Sequence, residues 1–276
     1  MTTILPDAAI DALLAQDVPY GDLTTDGLGI AGRPARMSFA ARAGMVLAGT
    51  EEAARLVERA GGRVLRAEPS GTAVAAGAVF LEANGAAGSL HRAWKVAQTL
   101  VEYASGIATR ARRIVEAAPG VTVACTRKNF PGAKDISVKA VQAGGAVMHR
   151  LGLSETLLVF PEHRAFLDGP PDGWIADLRR KAPEKKIVVE VGSVEEAVLF
   201  ARAGADVIQL EKLPPDAARA VIEATRDLAP PPVVAPAGGV TEANAAAYAA
   251  AGCRLLVTSA PFFGQPADVR VVLGPA

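Results

Sequence analysis

From residue 121 onward one unit recurs: a short unbroken apolar run, a polar or glycine stop, then an alanine-rich stretch of helical character. The runs are VTVACT (121–126), TLLVF (156–160), KIVVEV (186–191), DVIQL (206–210), PVVAPA (232–237) and RLLVTS (254–259). None alternates apolar with polar, so each predicts a strand buried on both faces, as in a parallel sheet. Helical segments lie between several of them. Ser193 with Glu196 fits a capping box ahead of VEEAVLFARAG, Gly204 is placed to end that helix, and Thr241 is placed to cap EANAAAYAAAG. Repeating units of roughly 20 to 35 residues restrict this half to a β/α barrel or a doubly wound sheet.

The first 110 residues lack that rhythm. DAAIDALLAQD and EEAARLVERAGG predict helices, and PARMSFAARAGMVLAG predicts two strands joined at RAG. GTAVAAGAVFLEANGAAGSL contains strands and turns, and LHRAWKVAQTLVEYASGIATRARRIVEAA is one or two long helices. An α/β layer over residues 1–110 is therefore expected ahead of a barrel domain over 111–265. LDGPPDG (167–173) reads as a loop inside the second half.

The chain of 276 residues carries 29 basic and 29 acidic side chains, which argues against general binding to nucleic acid or to a membrane surface. No apolar stretch approaches the roughly 20 residues that span a bilayer. The N-terminus lacks a basic region followed by an apolar run. Cys125 and Cys253 fit no paired pattern and read as reduced, buried thiols. A cytoplasmic location is expected. Yet TRKNFPGAKDISVKAVQAGGAVMHR (126–150) crowds Arg127, Lys128, Lys134, Lys139, His149 and Arg150 against one acid, Asp135. A local cation cluster in a neutral chain points to a small anion.

In β/α barrels functional residues gather at the C-terminal strand ends. Here those positions hold Arg127-Lys128, Glu190, Glu211-Lys212, Gly238-Gly239 and Ser259. Arginine grips oxyanions through paired hydrogen bonds and lysine adds a point charge. Carboxylates hold Mg²⁺, often through water, and a Gly-Gly pair exposes amides to phosphate. This set suits a phosphate-bearing substrate with a divalent metal. Singly, each piece has a blander reading. His149-Arg150 suits a surface pair, Glu211 could serve only Lys212, and Lys134 and Lys139 could merely solvate the loop and helix. Gly144-Gly145 suits a helix stop, and His91 and His163 are structural by default. Glu190 resists dismissal, because a carboxylate inside an apolar run needs a partner.

With these residues in view, the chain resembles the quinolinate phosphoribosyltransferases (nicotinate-nucleotide pyrophosphorylases). TRKNFPGAK…KAVQAGGAVMHRLGLSE resembles the centre of that family, and GDLTT (21–25), GMVLAG (44–49), SGIAT (105–109), AGAD (203–206) and GGV (238–240) match in order. It is closer still to the ModD-type pyrophosphorylases, which are encoded with molybdate transport genes. The resemblance implies an N-terminal α/β sandwich joined by the final strand within 266–276, then an incomplete, roughly seven-stranded β/α barrel of the type II phosphoribosyltransferase kind. It implies a homodimer with a shared active site. The family reaction joins quinolinate to phosphoribosyl pyrophosphate with Mg²⁺, releasing pyrophosphate and CO₂ on the way to NAD. By position, Lys128 would face the diphosphate or ribose, and Arg127, His149 and Arg150 the acceptor's carboxylates. Glu190 and Glu211 would serve the metal and ribose hydroxyls, as the catalytic set with Lys128, and Gly238-Gly239 would hold the 5′-phosphate.

The departures are specific. The family arginine ahead of SGIAT, given to the neighbouring subunit's acceptor, is Tyr103 here. The family lysine beyond HR-GL is Phe160, and the aspartate ending the fourth strand is Glu211. An acid and a serine before the glycine pair are Ala235 and Ala237, and a glycine near the last phosphate contact is Ser259. Two acceptor-side cations are thus gone while the phosphate side partly survives. Burying a dicarboxylate with fewer cations is costly, so a less anionic heterocyclic or carboxylate acceptor is expected. The alternatives are a quinolinate enzyme that tolerates the replacements and a non-catalytic binder of phosphate or another oxyanion serving molybdenum uptake.

Overall fold

A computed structural model describes residues 5–276. In chain order the elements are α1 (Asp7–Asp17), α2 (Leu23–Gly27), β1 (Pro34–Ala41), β2 (Met45–Val46), α3 (Thr50–Arg59), β3 (Arg63–Ala67), β4 (Ala73–Val74), β5 (Val79–Ala86) and α4 (Ala87–Ala117). There follow β6 (Thr122–Cys125), α5 (Lys134–Ala143), β7 (Val147–Met148), β8 (Leu157–Val159), α6 (Pro161–Arg164), α7 (Pro171–Lys181) and β9 (Ile187–Val191). The chain closes with α8 (Val194–Arg202), β10 (Val207–Glu211), α9 (Pro215–Thr225), β11 (Val233–Ala237), α10 (Ala245–Ala250), β12 (Leu255–Thr258), a 3₁₀ turn (Ala260–Phe263) and β13 (Val269–Pro275).

Two compact units result. The first holds the described residues through Arg112 with Phe130–Gly145 and Pro261–Ala276, and the second holds Arg113–Asn129 and Ala146–Ala260. Residues 130–145, given to the barrel domain on sequence, sit with the first unit.

The first unit is an α/β sandwich built on an antiparallel sheet in the order β13-β1-β5-β3. The last strand of the chain thus returns to pair with the first. Along β1, Ala35, Met37 and Phe39 point inward at every second position, and Phe39 meets Phe80 edge to face at 6.2 Å. β1 and β2 are not a hairpin: β1 lies between β13 and β5, while β2 pairs with β4. The long helical stretch is one helix, α4, whose buried stripe of Leu90, Ala93, Ala97, Val101, Ala104 and Ala108 follows three- and four-residue spacing. On α3, Ala53, Leu56 and Val57 are buried, while Arg55 and Arg59 reach out to Asp7 and Asp11 of α1. Asp22 of GDLTT caps α2, accepting the Thr25 N–H at 3.0 Å.

The second unit is an incomplete β/α barrel. Its seven strands run in the order β7-β6-β12-β11-β10-β9-β8, and every pairing is parallel. Six strands fall on the six apolar runs. The seventh, β7, is only Val147–Met148, too short for any run to announce. Leu158, Val188, Val207, Ala235, Ala237 and Val257 pack together as an apolar core. Ser193 caps α8 by accepting the Glu196 N–H, and the Glu196 carboxylate takes the Gly192 N–H. Thr241 does not cap α10. That helix opens after Asn244, and the Thr241 N–H donates to Asn244 Oδ1 at 2.8 Å, closing a turn instead. The loop expected over 167–173 ends at Pro170, because Pro171 starts α7 with the fixed φ that suits a first helical position. No helix among the described residues is long and apolar enough to cross a membrane.

Candidate active site

Parallel strands deliver their C-terminal ends to one side, and in the second unit those ends line a cavity of about 550 Å³. Thr126, Arg127 and Lys128 come from β6, and His149 and Arg150 follow β7. β8 leads to Phe160 and Glu162, β9 gives Glu190, and β10 gives Gln209 and Glu211. Gly238 follows β11 and Ser259 follows β12. Backbone bonds fix the cationic loops: the Thr126 N–H donates to Thr258 O, and the His149 N–H to Cys125 O.

Of the residues given a catalytic or binding role on sequence, Tyr103 and Gly239 are absent from that lining, as are the neighbouring Lys134, Lys139, Lys212 and Ala235. Tyr103 lies on α4 in the first unit, 62% exposed, beside an apolar cavity of about 760 Å³ shared with Leu100, Ile107 and Phe130. Gly239 is exposed, with φ +86° after Gly238 at +74°. Gly144-Gly145 is a packing and turn device. A methyl on Gly144 would sit 2.5 Å from Ala108 O, and Gly145 takes φ +88° just after α5.

Glu190 and Gln209 are register partners on β9 and β10, and Gln209 Nε2 donates to Glu190 Oε2 at 2.6 Å. Burial pushes the Glu190 carboxyl above its ordinary pKa against the Gln209 hydrogen bond; Glu211 and Glu162 add to the rise, and Lys128 opposes it. Burial, then Arg150, lowers the His149 pKa, so the imidazole is neutral at pH 7. Arg150 is 6% exposed, and burial followed by Arg127 lowers its pKa while it remains a cation. Its Cζ lies 5.8 Å from the centre of the Phe160 ring. His163 stacks on Phe160 at 5.7 Å and accepts the Phe160 N–H at Nδ1, so it is structural support for a cavity wall. Glu211 lies 3.4 Å from Lys212 Nζ as well as lining the cavity. Lys212 is held at φ +57°, a conformation L-residues rarely take, directly after β10. Behind the site, Arg164 donates to Glu190 O and to Glu196, both at 3.2 Å, with its guanidinium 4.7 Å from the Phe200 ring.

The donor set fits Mg²⁺ shared with a phosphate ligand. Glu190 and Glu211 supply hard oxygen from neighbouring strands. Among the described residues no three His, Cys, Asp or Glu side chains gather to hold a metal by protein alone.

Sequence reasoning missed Gln209, Glu162 and the true place of Lys139. Gln209 is a neutral side chain inside an apolar run, and only its register with Glu190 exposes its role. Lys139 does not solvate a helix: it is 5% exposed and paired with Glu52 and Glu51 inside the first unit. Cys125 and Cys253 are free and buried, and burial pushes their thiols up to about 12 and about 11.

Residues 22–105 match the family model for the quinolinate phosphoribosyl transferase N-terminal domain, and residues 107–271 match that for its C-terminal domain. The ModD protein of Rhodobacter capsulatus is 47% identical over 252 residues, 88% of this chain and 95% of that protein. The carboxylating nicotinate-nucleotide pyrophosphorylase of Mycobacterium leprae is 32% identical over 264 residues, 92% of this chain and 93% of that one. The crystal structure of NadC from Streptococcus pyogenes superposes with a TM-score of 0.91 at 25% identity, covering 100% of both chains.

Proposed function

The chain belongs to the quinolinate phosphoribosyltransferase family, and we propose that it transfers ribose 5-phosphate from phosphoribosyl pyrophosphate to an acceptor other than quinolinate. One observation carries this reading: a single cavity gathers Arg127, Lys128 and Arg150 with the carboxylates Glu190 and Glu211. Breaking the bond from the ribose carbon to diphosphate leaves positive charge on the sugar and negative charge on the leaving group. Fixed cations stabilise the second and fixed carboxylates the first. Arg127 and Lys128, both exposed at the end of β6, receive the diphosphate. Glu190 and Glu211 face the sugar, and the amides of Gly238 and Gly239 receive the 5′-phosphate. Mg²⁺ bound with the diphosphate would add charge neutralisation at the leaving oxygen, held by Glu190 and Glu211.

The acceptor side is where this chain parts from a dicarboxylate. Phe160 and Leu158 line it, beside Ala237 and Val257. Arg150 is the one buried cation among the lining residues, and His149 is neutral. One carboxylate finds a partner there, and a second would be desolvated without one.

Calorimetric titration with phosphoribosyl pyrophosphate, with and without Mg²⁺, tests the reading on wild type and Lys128→Ala. Mg²⁺-dependent binding weakened about tenfold or more in the variant is expected, the loss of one charge-assisted contact. No binding by wild type, with molybdate bound instead, would replace this reading with that of an oxyanion carrier.

A further inference from the structure

One acceptor atom on the floor of the cavity, Gln209 Oε1, has nothing to accept from. Glu190 and Gln209 are paired across β9 and β10. Their mutual bond uses Glu190 Oε2 and Gln209 Nε2. Because a carboxylate can only accept, the Gln209 amide must turn its N–H toward Glu190 and its oxygen away. That oxygen is buried and has no partner, in a side chain only 5% exposed. Its register partner on the other side is Ala235 of β11, which offers only a methyl group. Leu158, Phe160, Ala237 and Val257 line the same cavity and give it apolar walls suited to a flat ring.

Quinolinate carries two carboxylates and no N–H, so at this floor acceptor atoms would face acceptor atoms. A ring that brings its own N–H reverses the match. Resting on the transferase reading above, we propose that the acceptor is a heterocycle with a ring N–H and at most one carboxylate. Gln209 fixes the ring by accepting its N–H at the amide oxygen. The step balances. The ring N–H bond breaks and its proton is lost to water; the nitrogen lone pair forms the bond to the ribose carbon. The bond from that carbon to diphosphate breaks, and its electron pair leaves with diphosphate. No CO₂ is lost and nothing is oxidised. Gln209 is a positioning and specificity residue, acting on the ring.

The test is pyrophosphate release with phosphoribosyl pyrophosphate and Mg²⁺ against a panel of azoles, purines and pyrimidine lactams, with nicotinate and quinolinate for comparison. Turnover with an N–H ring and none with the two pyridine acids is expected. Gln209→Met, close in volume, should raise the KM of the ring about tenfold with kcat nearly kept, leaving calorimetric affinity for phosphoribosyl pyrophosphate within about twofold. Binding of phosphoribosyl pyrophosphate without turnover of any N–H ring would overturn the inference and leave the transferase reading standing. So would CO₂ release from quinolinate, or a Gln209→Met variant that weakens phosphoribosyl pyrophosphate and spares the acceptor, since the amide would then serve ribose hydroxyls. Failure of phosphoribosyl pyrophosphate to bind wild type at all would remove both.

Discussion

Lys139 Nζ lies 2.6 Å from Glu52 Oε2, with the lysine side chain 5% and the glutamate 0% exposed. The same ammonium reaches Glu51 Oε2 at 2.9 Å, and Glu52 Oε1 accepts the Leu5 N–H at 3.0 Å. α3 and α5, far apart in sequence, are thereby joined through one desolvated charge cluster in the first unit. Lys139→Met should lower stability by about 3–5 kcal/mol in guanidinium unfolding, because it strands Glu52 without a counter-charge. Adding Glu52→Gln should restore part of that loss. Equal stability of wild type and the single variant would mean that water enters the cluster.

Acid should loosen the same cluster. Burial raises the Glu51 pKa, but hydrogen bonds from Ser70 and Lys139 outweigh it and hold the group at about 2, below its unfolded 4.5. A depressed carboxyl stabilises the fold above its unfolded pKa and loses that contribution as pH falls toward its folded one. Up to about 3 kcal/mol should therefore disappear between roughly pH 5 and 2. Ser70→Ala, which removes one of those bonds, should shrink this pH-dependent part when unfolding is followed across the window.

A methyl on Gly238 would lie 2.8 and 2.9 Å from the two Glu211 carboxylate oxygens, at a φ of +74° that side chains rarely adopt. Gly238→Ala should therefore displace Glu211 and cost about 1–2 kcal/mol of stability through backbone strain. Affinity for phosphoribosyl pyrophosphate should fall about tenfold. A variant that folds less stably yet binds as wild type would separate the glycine from the site.

Phe160→Lys should return a cation to the acceptor wall. Quinolinate, ignored by the wild type on our reading, should gain about tenfold in affinity, the value of one hydrogen bond to a charged group. Equal and tight quinolinate binding by both proteins would show that the wall does not select.

Much of this molecule is written locally. Six of the seven barrel strands announce themselves because a strand buried on both faces must be apolar throughout. The cations Arg127, Lys128 and Arg150 and the carboxylates Glu190 and Glu211 were legible because charge at the end of an apolar run has few structural uses. β7 was not legible, since Val147 and Met148 become a strand only through their pairing with β6. Gln209 reads as one more residue of an apolar run until parallel register sets it against Glu190. Lys139 reads as a solvated helix lysine until folding brings Glu52 to it across 87 positions of chain. Sequence by itself determined which segments are strands and which strand ends are charged, because periodicity and burial act within a few residues. Only tertiary structure decided which side chains meet, because register and long-range packing are settled between segments that no local pattern connects.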